Sequence, residues 1–317
     1  MKYFTLLVLL LTLTLAAAAQ QDAQYTNFMN NKLSLNPAVS GSKGAPVLFG
    51  IVRQQWFGLE GAPASQAVGF HTPISNKSAG LGFVLTNDVI GFTRSTQVGG
   101  NYAYHVQTGR KTFLSAGLSA TARQYRVDWD QARATDEGDG NIPDLAASSR
   151  IMANFGAGLL LYSDKFYAGL SAPRLMRNRI SFDDEVSGVS VASREDVHLY
   201  AMAGVLLPLG EQLSLKPAAL VKYVPDAPVD LDLHASLVFS EVFSLGATYR
   251  LGGSQTQAVG ESIDVLASLQ ASDHLRFGVG YDFTLSKIRN VSNGSGELFV
   301  EYTLSGRKGR LTNPRFF

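Results

Sequence analysis

The five histidines and the acidic residues beside them are the side chains best suited to proton transfer. The histidines are His71, His105, His198, His234 and His274. His234 follows Asp230 and Asp232 at intervals of two, so on a β-strand all three side chains point to one face. A hydrolytic triad also needs a nucleophile within hydrogen-bond reach of its histidine. The sequence indicates no such nucleophile, and we expect His234 to be a hydrated polar residue rather than a catalytic base.

The acidic segment 136–141 is the best candidate for cation binding. Asp136, Asp139 and Asn141 supply the carboxylate and amide oxygens that Ca²⁺ prefers. Their spacing differs from that of an EF-hand loop, so a solvated loop is the expected alternative. Gly-x-Gly pairs also occur, but they lack the strand-to-helix context and the third glycine of a nucleotide-binding loop. We therefore predict no cofactor.

Composition excludes several classes of protein. Only 17% of the 317 residues are charged and the net charge is +1, which excludes a disordered chain or a nucleic-acid-binding protein. The absence of cysteine excludes disulfides, thiolate metal clusters and a cysteine nucleophile. The mean hydropathy of +0.05 is high for a soluble protein and low for a helical membrane protein. The arrangement of the apolar residues therefore decides the class.

The first 19 residues predict a secretory signal peptide. Lys2 precedes an apolar run from Phe4 to Leu15, and Ala17 and Ala19 are the small residues that a signal peptidase requires. A membrane anchor is the alternative, but the apolar run is too short to span a bilayer comfortably. No cysteine follows this run, so a lipoprotein signal is excluded. We expect cleavage after Ala19 and a mature chain outside the cytoplasm.

Alternation with a period of two dominates the rest of the chain. In the segment 275–285 every odd position is apolar or aromatic, and every even position is small, polar or charged. About 14 such segments occur, most of them near the ten residues that a tilted membrane strand requires. After the signal, no apolar run approaches the ~20 residues of a membrane helix. The pattern predicts an all-β, transmembrane, antiparallel, up-and-down β-barrel of about 14 strands.

The connections between these segments predict the orientation of the barrel. Short turns alternate with mostly longer connections, among which we place 88–93, 125–150 and 174–194. Outer-membrane barrels have short periplasmic turns and longer extracellular loops. We therefore place residues 44–304 in the outer membrane of a Gram-negative bacterium. Residues 20–43 are predicted to plug the lumen or to dock a periplasmic partner, and residues 305–317 to form a periplasmic tail.

Several short motifs occur in a characteristic order along the chain. They are Gln21-Asp22-Ala23-Gln24-Tyr25, Leu35-Asn36-Pro37-Ala38-Val39-Ser40-Gly41, Arg53-Gln54-Gln55-Trp56, Gly61-Ala62-Pro63, Phe70-His71-Thr72-Pro73, Asn87-Asp88-Val89-Ile90-Gly91 and Asn313-Pro314-Arg315-Phe316-Phe317. In this order the chain resembles the PorP/SprF family of outer-membrane proteins, which is associated with type IX secretion and gliding motility in Bacteroidota. Ala23 and Val39-Ser40 depart from the residues that are common in the family.

The resemblance implies a non-enzymatic barrel that helps a secreted surface protein, an adhesin-like client with a C-terminal sorting domain, to be displayed or attached outside the cell. It also implies contact with periplasmic components linked to peptidoglycan, in addition to outer-membrane lipid. We expect the long loops 125–150 and 174–194 to meet the client, because loops on a rigid scaffold carry recognition. The candidate contact residues in these loops and the tail are Asp128, Asp130, Asp144, Arg177, Arg179, Asp183, Asp184, Arg315, Phe316 and Phe317.

Two other functions remain open. Barrels of this strand number can conduct solutes, so a passive channel or a transporter of hydrophobic or small polar solutes is the principal alternative. A soluble secreted β-protein is the third.

Overall fold

The computed structural model describes residues 24–74, 78–131, 147–183, 190–225, 227–252 and 260–304. Two consecutive groups of β-strands make up most of this part of the chain. The first nine strands in chain order are β1 Val47–Gln54, β2 Ala64–Ile74, β3 Ala79–Ile90, β4 Thr93–Gln107, β5 Thr112–Val127, β6 Ser148–Ser163, β7 Phe166–Arg174, β8 Arg179–Asp183 and β9 Ser190–Arg194. The later strands are β10 His198–Val205, β11 Leu207–Pro208, β12 Leu213–Tyr223, β13 Asp230–Phe239, β14 Phe243–Leu251, β15 Ser262–Gln270, β16 Leu275–Thr284 and β17 Ser295–Thr303.

The strands close into a barrel. Within the described residues, a single sheet of 15 antiparallel strands contains every strand except β8 and β9. Both β10 and the two-residue β11 pair with β12, so they occupy one position and the barrel has 14 strands. The sheet closes because β1 pairs with β17 and β10 pairs with β12. The prediction of an up-and-down barrel of about 14 strands is confirmed.

Strand β17 shows how the alternation separates lipid from lumen. Leu298, Val300 and Tyr302 point outward and are 60%, 45% and 41% exposed. Glu297 and Glu301 point inward and are 3% and 7% exposed. An outward apolar face and an inward polar face are what a barrel needs in a bilayer, because the closed ladder satisfies the backbone groups. The described residues contain no helix long and apolar enough to cross a membrane.

The connections define the two ends of the barrel. Short turns, such as 240–242 between β13 and β14, lie at the end that we assign to the periplasm from the general topology of these barrels. The expectation of a longer loop at 88–93 is wrong. Strands β3 and β4 continue to Ile90 and from Thr93, and these two residues pair with each other. Gly91 has a φ of +56°, a conformation that glycine adopts without strain, so two residues complete the turn.

The segment 174–194 contains a feature that alternation did not predict. Strands β8 and β9 form a separate two-stranded hairpin at the extracellular end. The predicted strand 195–208 begins only at His198 and is interrupted at Leu206. Strands β8 and β9 have only five residues each, and β10 is shorter than predicted. Segments of this length contain too few residues to show a clear alternation of apolar and polar side chains.

Residues 24–43, which precede β1 in the described part of the chain, lie inside the barrel. They form a 3₁₀ turn at Phe28–Asn30, the helix α1 at Lys32–Leu35 and a second 3₁₀ turn at Pro37–Val39. Phe28, Leu33 and Val39 belong to one hydrophobic cluster with the wall residues Phe49 and Phe299. Two further 3₁₀ turns, Trp129–Gln131 and Lys287–Asn290, lie at the extracellular end. The main core of the molecule is therefore the contact between residues 24–43, here called the luminal segment, and the barrel wall.

Candidate functional site

A buried polar cluster fixes the extracellular end of the luminal segment. Glu297 accepts hydrogen bonds from the backbone amides of Thr26 and Asn27 at 2.8 and 2.9 Å. The Thr26 hydroxyl donates to Asp282 at 2.8 Å and accepts from Arg53. Arg53 also pairs with Asp282 at 2.5 Å. Buried charges are stable only when paired and hydrogen-bonded. The cluster therefore links the luminal segment to strands β1, β16 and β17.

Glycines on the inward face let the backbone of the luminal segment approach the wall. A Cβ atom at Gly117 would lie 2.3 Å from the Ala38 nitrogen. A Cβ atom at Gly158 would lie 2.0 Å from Asn36 Oδ1. Asn36 uses this position to donate to the Leu159 carbonyl at 3.0 Å and to accept from the Ala38 amide at 2.9 Å. Residues 36–38 therefore occupy the space that side chains at Gly117 and Gly158 would fill.

Two histidines and two serines hold the last turn of the luminal segment. His105 Nε2 lies 2.9 Å from the Ser40 carbonyl, and the Gly41 amide donates to His71 Nδ1 at 3.1 Å. Ser115 donates to the Ala38 carbonyl at 2.8 Å, and Ser171 donates to the Leu35 carbonyl at 2.7 Å. These wall residues satisfy three carbonyl groups and one amide that short helices and turns leave without backbone partners.

Basic side chains gather at the periplasmic end of the lumen. Lys43 Nζ lies 2.6 Å from Glu301 Oε2, and Arg276 lies 3.4 Å from Glu301 Oε1. Lys32 Nζ lies 4.3 Å from the centre of the Tyr167 ring. Burial lowers the pKa of Lys32 well below its usual range, and the nearby positive charges add to this effect. This end of the segment is therefore held by charge pairing and by contact with an aromatic ring.

The cavities that described residues line beside the luminal segment are small. One cavity, between Tyr25, Leu35 and the wall residues Thr121 and Arg123, has a volume of about 70 Å³. Another, between Asn30 and the wall of β12–β16, has a volume of about 60 Å³. Small-molecule sites in proteins typically have volumes of ~300–1,000 Å³. These two cavities fit a few water molecules rather than a solute.

The bases of the two long loops share a second hydrophobic cluster. Val127 at the end of β5 and Trp129 in the following 3₁₀ turn pack against Met152 of β6 and Ile180 of β8. Beside this cluster, the extracellular part of β6 is not paired with β7. The pairing of these two strands ends at Ala157 and Ala172. The two loops are therefore joined at their bases into one extracellular unit.

Asn154 seals the place where β7 leaves β6. Its Oδ1 accepts from the amides of Phe155, Leu175 and Met176 at 2.9, 3.0 and 2.9 Å. Its Nδ2 donates to the Met176 carbonyl at 2.9 Å. The side chain replaces the missing part of the ladder, which matters because unsatisfied backbone groups are costly in a membrane protein.

A family model described as type IX secretion system membrane protein PorP/SprF matches residues 17–302. The chain belongs to the PorP/SprF family. This result agrees with the outer-membrane barrel described above. No curated protein gives a significant match to the chain.

Solved structures share the fold of this PorP/SprF protein at low sequence identity. A FadL homologue from Pseudomonas aeruginosa has a TM-score of 0.51 at 14% identity, over 85% of this chain and 93% of that one. The CymD monoaromatic hydrocarbon channel has a TM-score of 0.51 at 11% identity, over 88% and 94%. Both similarities show an outer-membrane β-barrel fold.

The predicted partner contacts of this PorP/SprF barrel fall partly within the described residues. Asp128 accepts from Arg126 at 2.6 Å, and Asp130 is exposed in the neighbouring 3₁₀ turn. Arg177 lies 3.5 Å from Asp196, and Arg179 is exposed at the start of β8. Asp183 ends β8. Asp144, Asp184, Arg315, Phe316 and Phe317 lie outside the described residues. The contact surface stays a prediction.

The candidate chemical groups of the PorP/SprF barrel have structural contacts. His234 Nδ1 lies 2.9 Å from the Thr248 hydroxyl, and its ring meets Phe28 edge-on with the ring centres 6.4 Å apart. The Ca²⁺ candidates Asp136, Asp139 and Asn141 lie outside the described residues. Within the described part of the chain, no group of three or more acidic or histidine side chains is placed to hold a metal ion.

The sequence analysis named His71, His105 and Arg53 of the PorP/SprF barrel, but it did not assign them, or Asp282 and Glu297, to holding the luminal segment. Arg53, Asp282 and Glu297 occupy inward positions on strands whose side chains alternate between two faces. A charged residue at such a position indicates a buried partner. Gly117 carries a weaker signal, because glycine within a strand suggests close approach of another backbone. Neither signal identifies the partner.

Proposed function

We propose that this PorP/SprF protein is a sealed outer-membrane scaffold of the type IX secretion system, which helps a secreted client with a C-terminal sorting domain to be displayed or retained at the cell surface. The observation that carries the proposal is the filled lumen. Residues 24–43 are fixed by fully buried polar contacts, including those of Arg53 and Glu297. A barrel filled in this way favours a scaffold over a conduit, and family membership supports the link to secretion.

The extracellular unit formed by the bases of the two long loops is our proposed client surface. The shared cluster of Val127, Trp129, Met152 and Ile180 gives both loops one rigid base. Exposed charged residues surround this base, among them Asp130 and Arg179. A rigid base with variable loops is a common arrangement for recognition.

Loop replacement in the native organism tests this surface. Exchanging residues 132–146 and 184–189 for short Gly-Ser linkers preserves β5, β6, β8 and β9, and should release the client into the medium. The matched control replaces residues 253–259, in the connection between β14 and β15. Client retention is measured by surface immunolabelling, and barrel assembly by heat-dependent gel migration. Unchanged retention with both loops replaced would contradict this placement.

A non-enzymatic role is part of the same proposal. His71 and His105 contact the luminal segment, and His274 Nδ1 lies 2.9 Å from the Thr303 carbonyl. The hydroxyl groups of Tyr162 and Thr248 lie beside His105 and His234, but both histidines are buried, so these pairs support packing rather than attack on a substrate. Periplasmic, peptidoglycan-linked components are further proposed partners, with the tail residues 305–317 as the contact. Affinity purification of the full chain and of a chain ending at Leu304, followed by mass spectrometry, tests the tail.

A passive channel for hydrophobic or small polar solutes is the second candidate function. The barrel fold shared with the CymD monoaromatic hydrocarbon channel favours it, although the cavity of about 30 Å³ beside Tyr25 and Leu220 holds no solute while the luminal segment is in place. Planar-bilayer conductance and solute uptake into vesicles separate the two functions. A steady open current or rapid uptake supports transport, and a silent barrel supports the scaffold.

A further inference from the structure

Two arginines lie side by side on the outer surface near the extracellular end. Arg94 of β4 and Arg126 of β5 are partners in the antiparallel register, and both are exposed. Like charges directly opposite each other on one face are destabilising. Arg126 donates through Nε to Asp128 at 2.6 Å. Within the described part of the chain, the Arg94 guanidinium has no such acidic partner. The pair therefore keeps an uncompensated positive charge.

A row of uncharged polar side chains lies one step closer to the membrane. Thr96 donates to Asn87 at 3.1 Å, and Gln124 donates to Ser149 at 2.9 Å. In register the row on β2–β6 consists of Gln66, Asn87, Thr96, Gln124 and Ile151, of which the first four are uncharged and polar, whereas Ser149 is the register partner of Arg126. The next outward row towards the periplasm is Val68, Leu85, Val98, Ala122 and Ala153, all of them apolar.

This change from polar to apolar rows marks the outer boundary of the lipid-facing surface. Two residues of strand separate Arg94 from Thr96, so the arginines lie ~7 Å above the polar row, at ~3.4 Å per residue. That height corresponds to the headgroups rather than to the hydrocarbon or bulk water. The apolar surface beneath the pair continues through Val98 and Leu118, which are 44% and 64% exposed.

We propose that Arg94 and Arg126 bind the phosphate of a phosphorylated glycolipid in the outer leaflet, whose acyl chains lie along the apolar surface of β4–β6. Guanidinium groups form bidentate, charge-assisted hydrogen bonds with phosphate. A phosphate also removes the repulsion between the two arginines, which Asp128 offsets only in part. The continuity with lipid-facing surface favours a lipid over an acidic protein segment. This site is independent of the luminal segment, and it adjoins the base of the proposed client surface through Asp128.

Lipid retention by the purified full-length protein tests the proposal. The protein is placed in phosphatidylcholine nanodiscs with a small fraction of monophosphoryl lipid A or of its phosphate-free form, and bound lipid is quantified by mass spectrometry after isolation. We expect enrichment of the phosphorylated form only. The double variant Arg94→Gln/Arg126→Gln should bind it about tenfold more weakly, as expected when charged hydrogen bonds are lost. High salt should weaken binding to the unaltered protein.

The matched control is Arg110→Gln/Lys165→Gln, which removes two exposed positive charges at the periplasmic turns. It should retain the phosphorylated lipid like the unaltered protein. Heat-dependent gel migration shows whether each variant has a folded barrel. Equal retention of the two lipid forms, or full retention by a folded Arg94/Arg126 variant, would overturn the proposal. Binding of an acidic peptide that depends on these arginines, without phosphate selectivity, would instead indicate a protein partner.

Discussion

Arg53 of the first strand and Glu297 of the last strand are partners in the ladder that closes the barrel, and their charged groups lie 3.6 Å apart on its inner side. Glu297 also binds two backbone amides of the luminal segment. One ionic contact therefore stabilises both the closure of the barrel and the position of the segment inside it.

Replacing Arg53 should test this double role. Arg53→Ala leaves Asp282 and Glu297 buried without their positive partner, which costs ~3–5 kcal/mol in comparable buried pairs. Urea unfolding in detergent, followed by gel migration, should show the loss. The exposed Arg110→Ala is the control, with an expected change below ~0.5 kcal/mol. Similar unfolding midpoints for the two variants would contradict the role of the cluster.

Adding one methyl group at Gly117 should displace the luminal segment. The new Cβ of Gly117→Ala would lie 2.3 Å from the Ala38 nitrogen, and overpacking of this kind costs ~1–3 kcal/mol. We expect protease to cleave residues 24–43 several-fold faster in the folded barrel. Gly100→Ala is the matched control, because its Cβ meets nothing within 4 Å. Equal cleavage rates would show that the close contact is not limiting.

A disulfide between Ser40 and Gly82 should separate the scaffold from the channel. A Cβ at Gly82 would lie 2.6 Å from Ser40 Oγ, close enough for cysteines at both positions to pair after a small adjustment. The chain has no cysteine of its own, so no other pairing competes. If the protein is a scaffold, the Ser40→Cys/Gly82→Cys variant should retain the client whether the disulfide is formed or reduced. It should also show no conductance in either state. Conductance that appears only on reduction would favour a segment that moves to open a channel; Ser40→Cys alone is the control.

Removing the Asn154 side chain should loosen the wall between β6 and β7. Asn154→Ala deprives the amides of Phe155 and Met176 of their acceptor, at ~1–3 kcal/mol for each one that stays buried, whereas the Leu175 amide keeps the Phe155 carbonyl at 2.9 Å. Hydrogen–deuterium exchange of peptides covering these amides should accelerate. Gln124→Ala, which removes one exposed contact with Ser149, should leave the exchange unchanged. Protection that persists in Asn154→Ala would mean that another group seals the wall.

The sequence predicted the barrel well, because every second residue in a strand such as β17 reports on the side that it faces. It failed at Gly91, where a single positive φ replaces a loop, and at β8 and β9, which are too short to show a clear period. These are local effects that a hydrophobic pattern does not record.

The contacts inside the lumen could not be predicted from the alternation of side chains, for a different reason. Thr26 and Asp282 are 256 residues apart in the chain, and they meet only because the sheet curves into a ring. Alternation places Asp282 on the inner face, but it gives no distance across the lumen. Likewise, Gly158 reads as a small residue in a strand, and its role depends on Asn36 lying against it. Single-chain periodicity specifies faces, whereas these contacts require the closed geometry.

The buried cluster around Thr26 has a consequence for the order of assembly. Its acidic partners lie on β16 and β17, which the ribosome completes last, whereas Thr26 itself is made near the beginning. Residues 24–43 therefore reach their final contacts only when the first and last strands have met. A segment near the beginning of the chain thus depends for its place on strands near the end, so its docking requires the ring to be complete.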